Sequence, residues 1–335
     1  MSDVGLYTIP VVKAPDAPSP FFKGTTLQYA WDSTSVNLLM ECARKYYLTM
    51  IENWRKKDQS VHLTFGGHFA TAMEVYAHAK ARGADHEEAL DAVVEAVLEL
   101  TWVRPLDPDG NKIMALDNGH PWTPDGDPKK NRDSLLRTCI WYFEEYKDDQ
   151  VKTIILPDGR PATELTFKFE SGIPDPYGGF YLLTGHLDRL VDYAGEPFVM
   201  DQKTTGQYLS PYFFKQFDMS SQMSQYTTAG KIVYNVPVKG VIIDAAAILV
   251  GSTTFGRSIT MRTPGQLKEW HANIGQWLQM AEIHAASGNY PMNLTSCTNY
   301  GGCVFAGICN KDPSVRGNYL ETDFEKRVWN PLAVR

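Results

Sequence analysis

Residues 185–203 read GHLDRLVDYAGEPFVMDQK, running from Gly185 to Lys203. Gly179 to Tyr193 and Pro197 to Lys203 carry the composition of strands, and Ala194 with Gly195 supplies a tight turn between them. A turn centred between Ala194 and Gly195 sets Asp188 opposite Asp201, and Lys203, two residues on, shares their face. Like charges opposed across a strand pair are destabilising, so a positive group belongs between them, either Lys203 or a divalent cation. Hard cations such as magnesium take carboxylate oxygens and keep several waters, which suits cleavage of a phosphodiester. Lys203 would then orient or deprotonate the attacking water. The Asp-x-Lys triplet alone says little, because Asp127-Pro128-Lys129 repeats it in a loop. The register with Asp188 gives it weight.

Outward from this hairpin, Ala162 to Glu170 alternates as a preceding strand, and Ser220 to Tyr234 reads as a following helix on which Gln222 and Tyr226 lie one turn apart. Val241 to Val250 is a continuous apolar run, the pattern of a buried strand. A short strand near Ile259 to Arg262 and a long helix from Pro264 to about Ala286 follow. Before residue 150 the pattern is helical: Val36 to Trp54, Gly67 to Arg82, a third helix opened by the capping box Asp85 and Glu88, and a fourth after Pro128. Residues 104–130 read as loop. The expected division is an N-terminal extension (1–30), a helical region (31–155), a core (156–288) and a C-terminal segment (289–335).

Of 335 residues, 43% are hydrophobic, 21% charged and 12% aromatic, which is globular composition rather than that of a disordered or collagen-like chain. The longest apolar stretches fall short of a membrane span, and residues 1–22 lack the basic flank and apolar run of a signal peptide, so cytoplasmic residence and no membrane partner are expected. Five cysteines, an odd number, do not suggest secreted disulfide pairing. Lys plus Arg number 32 against 39 Asp plus Glu, for a net charge of −7. A polyanion would therefore be held by local basic patches or by metal ions. Arg55-Lys56-Lys57 and Lys129-Lys130-Asn131-Arg132 are the basic runs, and each also reads as an ordinary solvated helix end.

Gly185-His186-Leu187-Asp188, Asp201-Gln202-Lys203-Thr204-Thr205 and Gln222-x-x-x-Tyr226 together resemble the signature of the PD-(D/E)XK nuclease superfamily in its RecB-like exonuclease branch, with phage-encoded members most alike. Phe65-Gly66 and Glu74 resemble the family's first motif, and Glu164 an acidic residue on its first strand. The resemblance implies an α/β restriction-endonuclease-like core, a mixed central sheet flanked by helices. It further implies a metal-dependent nuclease acting on DNA, with magnesium or manganese at Asp188, Asp201 and Glu74, and catalytic roles for Lys203, Glu164, Gln222 and Tyr226. Where the family pattern has a metal-binding histidine this chain has Ala70. His68 lies about 200° round the helix from it, and His78 two turns away, so Glu74 or Glu164 would supply the missing ligand. Ala70 also keeps open a DNA-binding adaptor without turnover, or a nuclease subunit that acts with a helicase or recombinase partner.

Cys297, Cys303 and Cys309 are spaced too widely for the close cysteine pairs usual in structural zinc sites. An iron-sulfur cluster, zinc, and free buried thiols remain alternatives, and a 4Fe-4S cluster needs a fourth thiolate from Cys42 or Cys139. The resemblance implies Cys42, because cluster-bearing RecB-like nucleases, including the AddB subunit and CRISPR-associated members, take one ligand from an early helix and three from the C-terminus. Cys139 lies on the apolar face of its helix and reads as core.

Overall fold

The computed structural model describes residues 12–13, 18–57, 60–104, 119–124, 127–299 and 301–334. Its centre is a seven-stranded mixed sheet: β1 (Ala30–Trp31), β2 (Lys152–Thr153), β3 (Thr163–Pro174), β4 (Phe180–Tyr193), β5 (Glu196–Thr205), β6 (Gly240–Leu249) and β7 (Ser252–Met261). The order β7-β6-β5-β4-β1 forms the main path, and β2 and β3 also pair with β4. Leu182 and Leu183 of β4 pair with Glu170 and Phe169 of β3 and with Ala30 and Trp31 of β1, so β3 and β1 occupy its two opposite edges.

The β4–β5 hairpin has the expected turn. Ala194 and Gly195 take φ of 56° and 81°, the left-handed pair that a two-residue hairpin loop requires. Tyr193 opposes Glu196, and the ladder runs to Arg189 opposite Met200. β6 lies parallel to β5, with Ile243 level with Asp201. Its run from Val241 to Ile248 is buried throughout, as expected of a strand covered on both faces.

Helices provide the two covers. On one face α1 (Ser33–Glu41), α6 (Ser221–Val233) and α7 (Pro264–Ser287) bury Val36, Leu39, Met223, Leu278 and Ala281 against Leu183, Val199 and Val241 of the sheet. On the other α3 (Val61–Ala81), α4 (His86–Leu100) and α5 (Arg132–Glu145) bury Phe65, Phe69, Val93 and Leu135 against Ala246 and Ile248. The capping box of α4 forms as expected, Asp85 accepting from the Glu88 amide.

Two expectations are corrected. The first helix is not continuous from Val36 to Trp54. It breaks at Cys42, which is extended (φ −167°, ψ 117°), and resumes as α2 (Ala43–Tyr46) and a π-helical turn over Tyr47–Ile51. The short strand near Ile259 to Arg262 is the end of the ten-residue β7, which pairs with β6 along its whole length. The polar sequence of β7 at the sheet edge hides it from a hydrophobicity pattern. Among the described residues no helix is long and apolar enough to cross a membrane.

Candidate active site

The β4–β5 ladder ends at Arg189–Met200, and the strands part just beyond it. Asp188 and Asp201 are the next residues on each side of that opening. In place of the next ladder bond, Asp188 Oδ2 accepts from the Gln202 amide at 2.8 Å. Farther along β4, Gln225 of α6 donates to the Thr184 carbonyl at 2.8 Å. Backbone groups freed by the divergence are thus met by side chains, as buried peptide groups must be. Gly185 lies on the same stretch because a Cβ there would stand 2.6 Å from the Phe167 ring.

Asp201 is 1% exposed. Its Oδ1 accepts from Lys203 Nζ at 3.0 Å, and its Oδ2 lies 2.8 Å from the same nitrogen but off the hydrogen-bond direction, with no other donor among the described residues. Burial pushes the Asp201 carboxyl up to about 6, with Asp188 and Asp244 adding to the rise and Lys203 opposing it. Burial likewise pulls the Lys203 ammonium down, but Asp201 and Asp188 together outweigh it and leave Lys203 above its ordinary value. One ammonium therefore answers two carboxylates, and the deeper one stays under-compensated. Lys203 also donates to Gln222 Oε1 at 3.4 Å, and Gln222 Nε2 to the Tyr226 hydroxyl at 3.0 Å. The chain Asp201, Lys203, Gln222, Tyr226 links β5 to α6.

Of the remaining expected site residues, Glu164 lies on β3 between the pairs Thr163–Arg189 and Leu165–Leu187, level with Asp188, with a φ of 47° that departs from the strand. Glu74 pairs with His78 at 3.7 Å on a half-exposed side of α3. His68 packs edge-on against Trp122.

Basic side chains are distributed differently from the sequence runs. Lys129 donates to the Gly206 carbonyl, Lys130 is buried over the Phe65 ring, and Arg132 stacks on Trp102. Arg55 donates to the Thr49 carbonyl, and Lys57 to the carbonyls of Glu321 and Thr322. These contacts hold elements together, so the Lys129–Arg132 run is not a free phosphate-binding surface. A cleft of about 690 Å³ at the start of α3 is instead lined by Lys45, Trp54, Arg55, Lys56 and Arg327 with no carboxylate among its lining residues. Sequence spacing does not show it, because Arg327 joins from the far end of the chain.

The cysteines form a second locus. The helix break turns Cys42 toward the tail: its Sγ accepts from the Asn293 amide at 3.3 Å, and the Arg44 amide donates to the Pro291 carbonyl. The Cys303 amide donates to the Cys297 carbonyl. Burial raises the Cys309 thiol first, then Cys303 and Cys42, while Arg316 and Arg44 oppose the rise. Phe324–Lys326 pairs with Trp54–Lys56 and fastens the tail alongside. Among the described residues no three sulfurs lie within 4.8 Å of one another. Cys139 stands apart in the α3–α5 core, its thiol raised far by burial.

The family model of the PD-(D/E)XK nuclease superfamily matches residues 31–310. A search of curated proteins gives no match. Among solved structures, a candidate exonuclease from Eubacterium rectale is similar at 12% identity, with 85% of this chain and 89% of that chain covered and a TM-score of 0.44. The protein SSO0001 is similar at 15% identity over 51% of this chain and 66% of that one, with a TM-score of 0.29.

Proposed function

The chain belongs to the PD-(D/E)XK nuclease superfamily, and on that premise we propose that it is a metal-dependent deoxyribonuclease of RecB-like exonuclease type, at work in DNA replication, recombination or repair. The observation that carries this reading is the pair Asp188 and Asp201 at the parting of β4 and β5, sharing one ammonium and leaving Asp201 Oδ2 without a hydrogen bond. A hard cation fits that donor set. Asp188 and Asp201 would hold magnesium or manganese, which when bound polarises the scissile phosphate and lowers the pKa of a bound water.

The protein's own groups have separable tasks. Lys203, held by Asp201 and Gln222, would place its ammonium where charge develops on the phosphate, or orient the attacking water. Gln222 and Tyr226 fix the Lys203 rotamer from α6. Water attack forms one P–O bond, the bond to the leaving oxygen breaks, and that oxygen takes up a proton. The basic cleft at the start of α3 offers a track for the DNA backbone on a molecule of net charge −7. We further propose that the thiolates of Cys42, Cys297, Cys303 and Cys309 hold a 4Fe-4S cluster, a structural tie between the first helix and the C-terminus.

Cleavage of a labelled oligonucleotide with and without manganese tests the reading. Metal-dependent cleavage is expected. Ala70 favours one rival, a DNA-binding adaptor without turnover, for which the oligonucleotide would bind and stay intact. Cleavage only after a helicase or recombinase is added would identify a partner-dependent subunit.

A further inference from the structure

Behind the carboxylate pair, on the face covered by α3 and α5, lies a half-enclosed cavity of about 360 Å³. Its lining includes Arg189 of β4 and Arg257 of β7 with Tyr76, Tyr146, Lys147 and Lys152, and one carboxylate, Asp149. Arg257 is already answered: it pairs with Asp244 at 2.9 Å and with Asp149, and it stacks 3.7 Å over Tyr146. Lys147 pairs with Glu144 at 3.6 Å. Arg189 is different. Its Nε is buried without a hydrogen-bond partner, and its guanidinium meets the sulfur of Met200, a weak acceptor. Neither Arg189 nor the exposed Lys152 has an acidic partner among the described residues. A partly buried guanidinium without an anion is costly, and here it faces a cavity large enough for a small ligand.

We propose that this cavity binds a phosphate monoester, seated on Arg189 and Lys152, and that its ligand is a 5′-mononucleotide of the kind an exonuclease releases. The choice of nucleotide rests on the nuclease reading above; the phosphate chemistry rests on the cavity alone. Planar guanidinium suits the paired oxygens of a phosphate, Lys152 supplies a second positive charge at the rim, and the tyrosines provide apolar wall for the nucleoside.

Calorimetric titration of the full-length protein in EDTA, so that no divalent metal joins the carboxylates, tests the proposal with 5′-dAMP, inorganic phosphate and deoxyadenosine as probes. Wild type should bind one 5′-dAMP per chain and no deoxyadenosine. Arg189→Gln should weaken 5′-dAMP by about tenfold or more, as loss of a charge-assisted pair does, and Lys152→Gln, a surface change, by a smaller factor. Inorganic phosphate binding as tightly as 5′-dAMP would keep the anion site and make free phosphate its ligand. No binding of either anion at about 10 mM, weaker than any useful affinity, would overturn the proposal. So would binding that survives both Arg189→Gln and Lys152→Gln. Should Arg189→Gln fail to fold, undiminished affinity in Lys152→Gln combined with Lys147→Gln would overturn it equally. Absence of nuclease activity with this binding intact would count against the nuclease reading and not against the site.

Discussion

Replacing Asp201 with asparagine keeps the shape of the side chain and removes its charge. In the metal-free protein the carboxyl sits at about 6 against an ordinary 3.8, chiefly because it is buried and secondarily because Asp188 is beside it, with the attraction of Lys203 already included. A raised carboxyl contributes stability that is present below about pH 4 and is lost as pH climbs through about 6. The difference of roughly two pKa units amounts to about 3 kcal/mol lost at pH 7.5 and about half that at pH 5. At about 2 cal/mol/K per residue, a chain of this length shifts its melting temperature by roughly 1.4 °C per kcal/mol. In EDTA at pH 7.5, Asp201→Asn should therefore melt about 4 °C above wild type, and the gap should narrow toward pH 5. Manganese should reverse the order. Binding to the folded state at about 100 times its dissociation constant adds roughly 2.7 kcal/mol to wild type, and the variant should gain little. Thermal melts of both proteins at pH 5 to 8, with EDTA or manganese, give the double difference in which all other titrations cancel. A variant that melts below wild type in EDTA at pH 7.5, with manganese raising both alike, would show that Asp201 is a structural ion-pair partner and would remove the case for a cation between the carboxylates.

Lys203→Ala should lose 10²-fold or more in oligonucleotide cleavage at saturating manganese, with DNA binding retained, since an electrostatic or general acid-base group contributes at least that much; a rate within about threefold of the parent would remove its role. Cys42→Ala should bleach the visible absorbance near ~400 nm expected of a thiolate-ligated cluster and leave little soluble protein, whereas Cys139→Ala should keep the colour; a brown, stable Cys42→Ala would refute the ligand set. Gly185→Ala should destabilise by about 1–3 kcal/mol in urea unfolding, the usual cost of overpacking, because its methyl group would meet the Phe167 ring at 2.6 Å. An unchanged midpoint would mean that Phe167 can turn aside.

The features legible in the sequence are those fixed by local geometry. A two-residue turn at Ala194 and Gly195 determines every pair on its hairpin, so the relation of Asp188 to Asp201 can be counted from the turn alone. Counting along one chain cannot show where the ladder stops, and the stopping point is what frees Asp188 to accept from the Gln202 amide. The surroundings of Glu74 are hidden for a related reason: its position on α3 follows from the sequence, but the rotation of α3 against the sheet is set by packing of Phe65 and Phe69 on Ala246 and Ile248. Cys42 shows the converse. Its apolar spacing continues the helix on either side, and the break depends on backbone partners at Pro291 and Asn293, about 250 residues later.

Asp244 and Arg257 do not stand out in the sequence because each sits in a segment that reads as something else, a buried apolar run and a polar edge. Their pairing exists only through the β6–β7 register. That register has a consequence for the site in front. Asp244 is among the charges that raise Asp201, yet its own charge is held in place by Arg257 and by the Tyr142 hydroxyl. Removing Arg257 would leave Asp244 buried without its counter-ion, at a cost to stability. Asp244 lies on the strand parallel to β5, level with Gln202, so the rear ion pair belongs to the electrostatics of Asp201 although it is built on the next two strands.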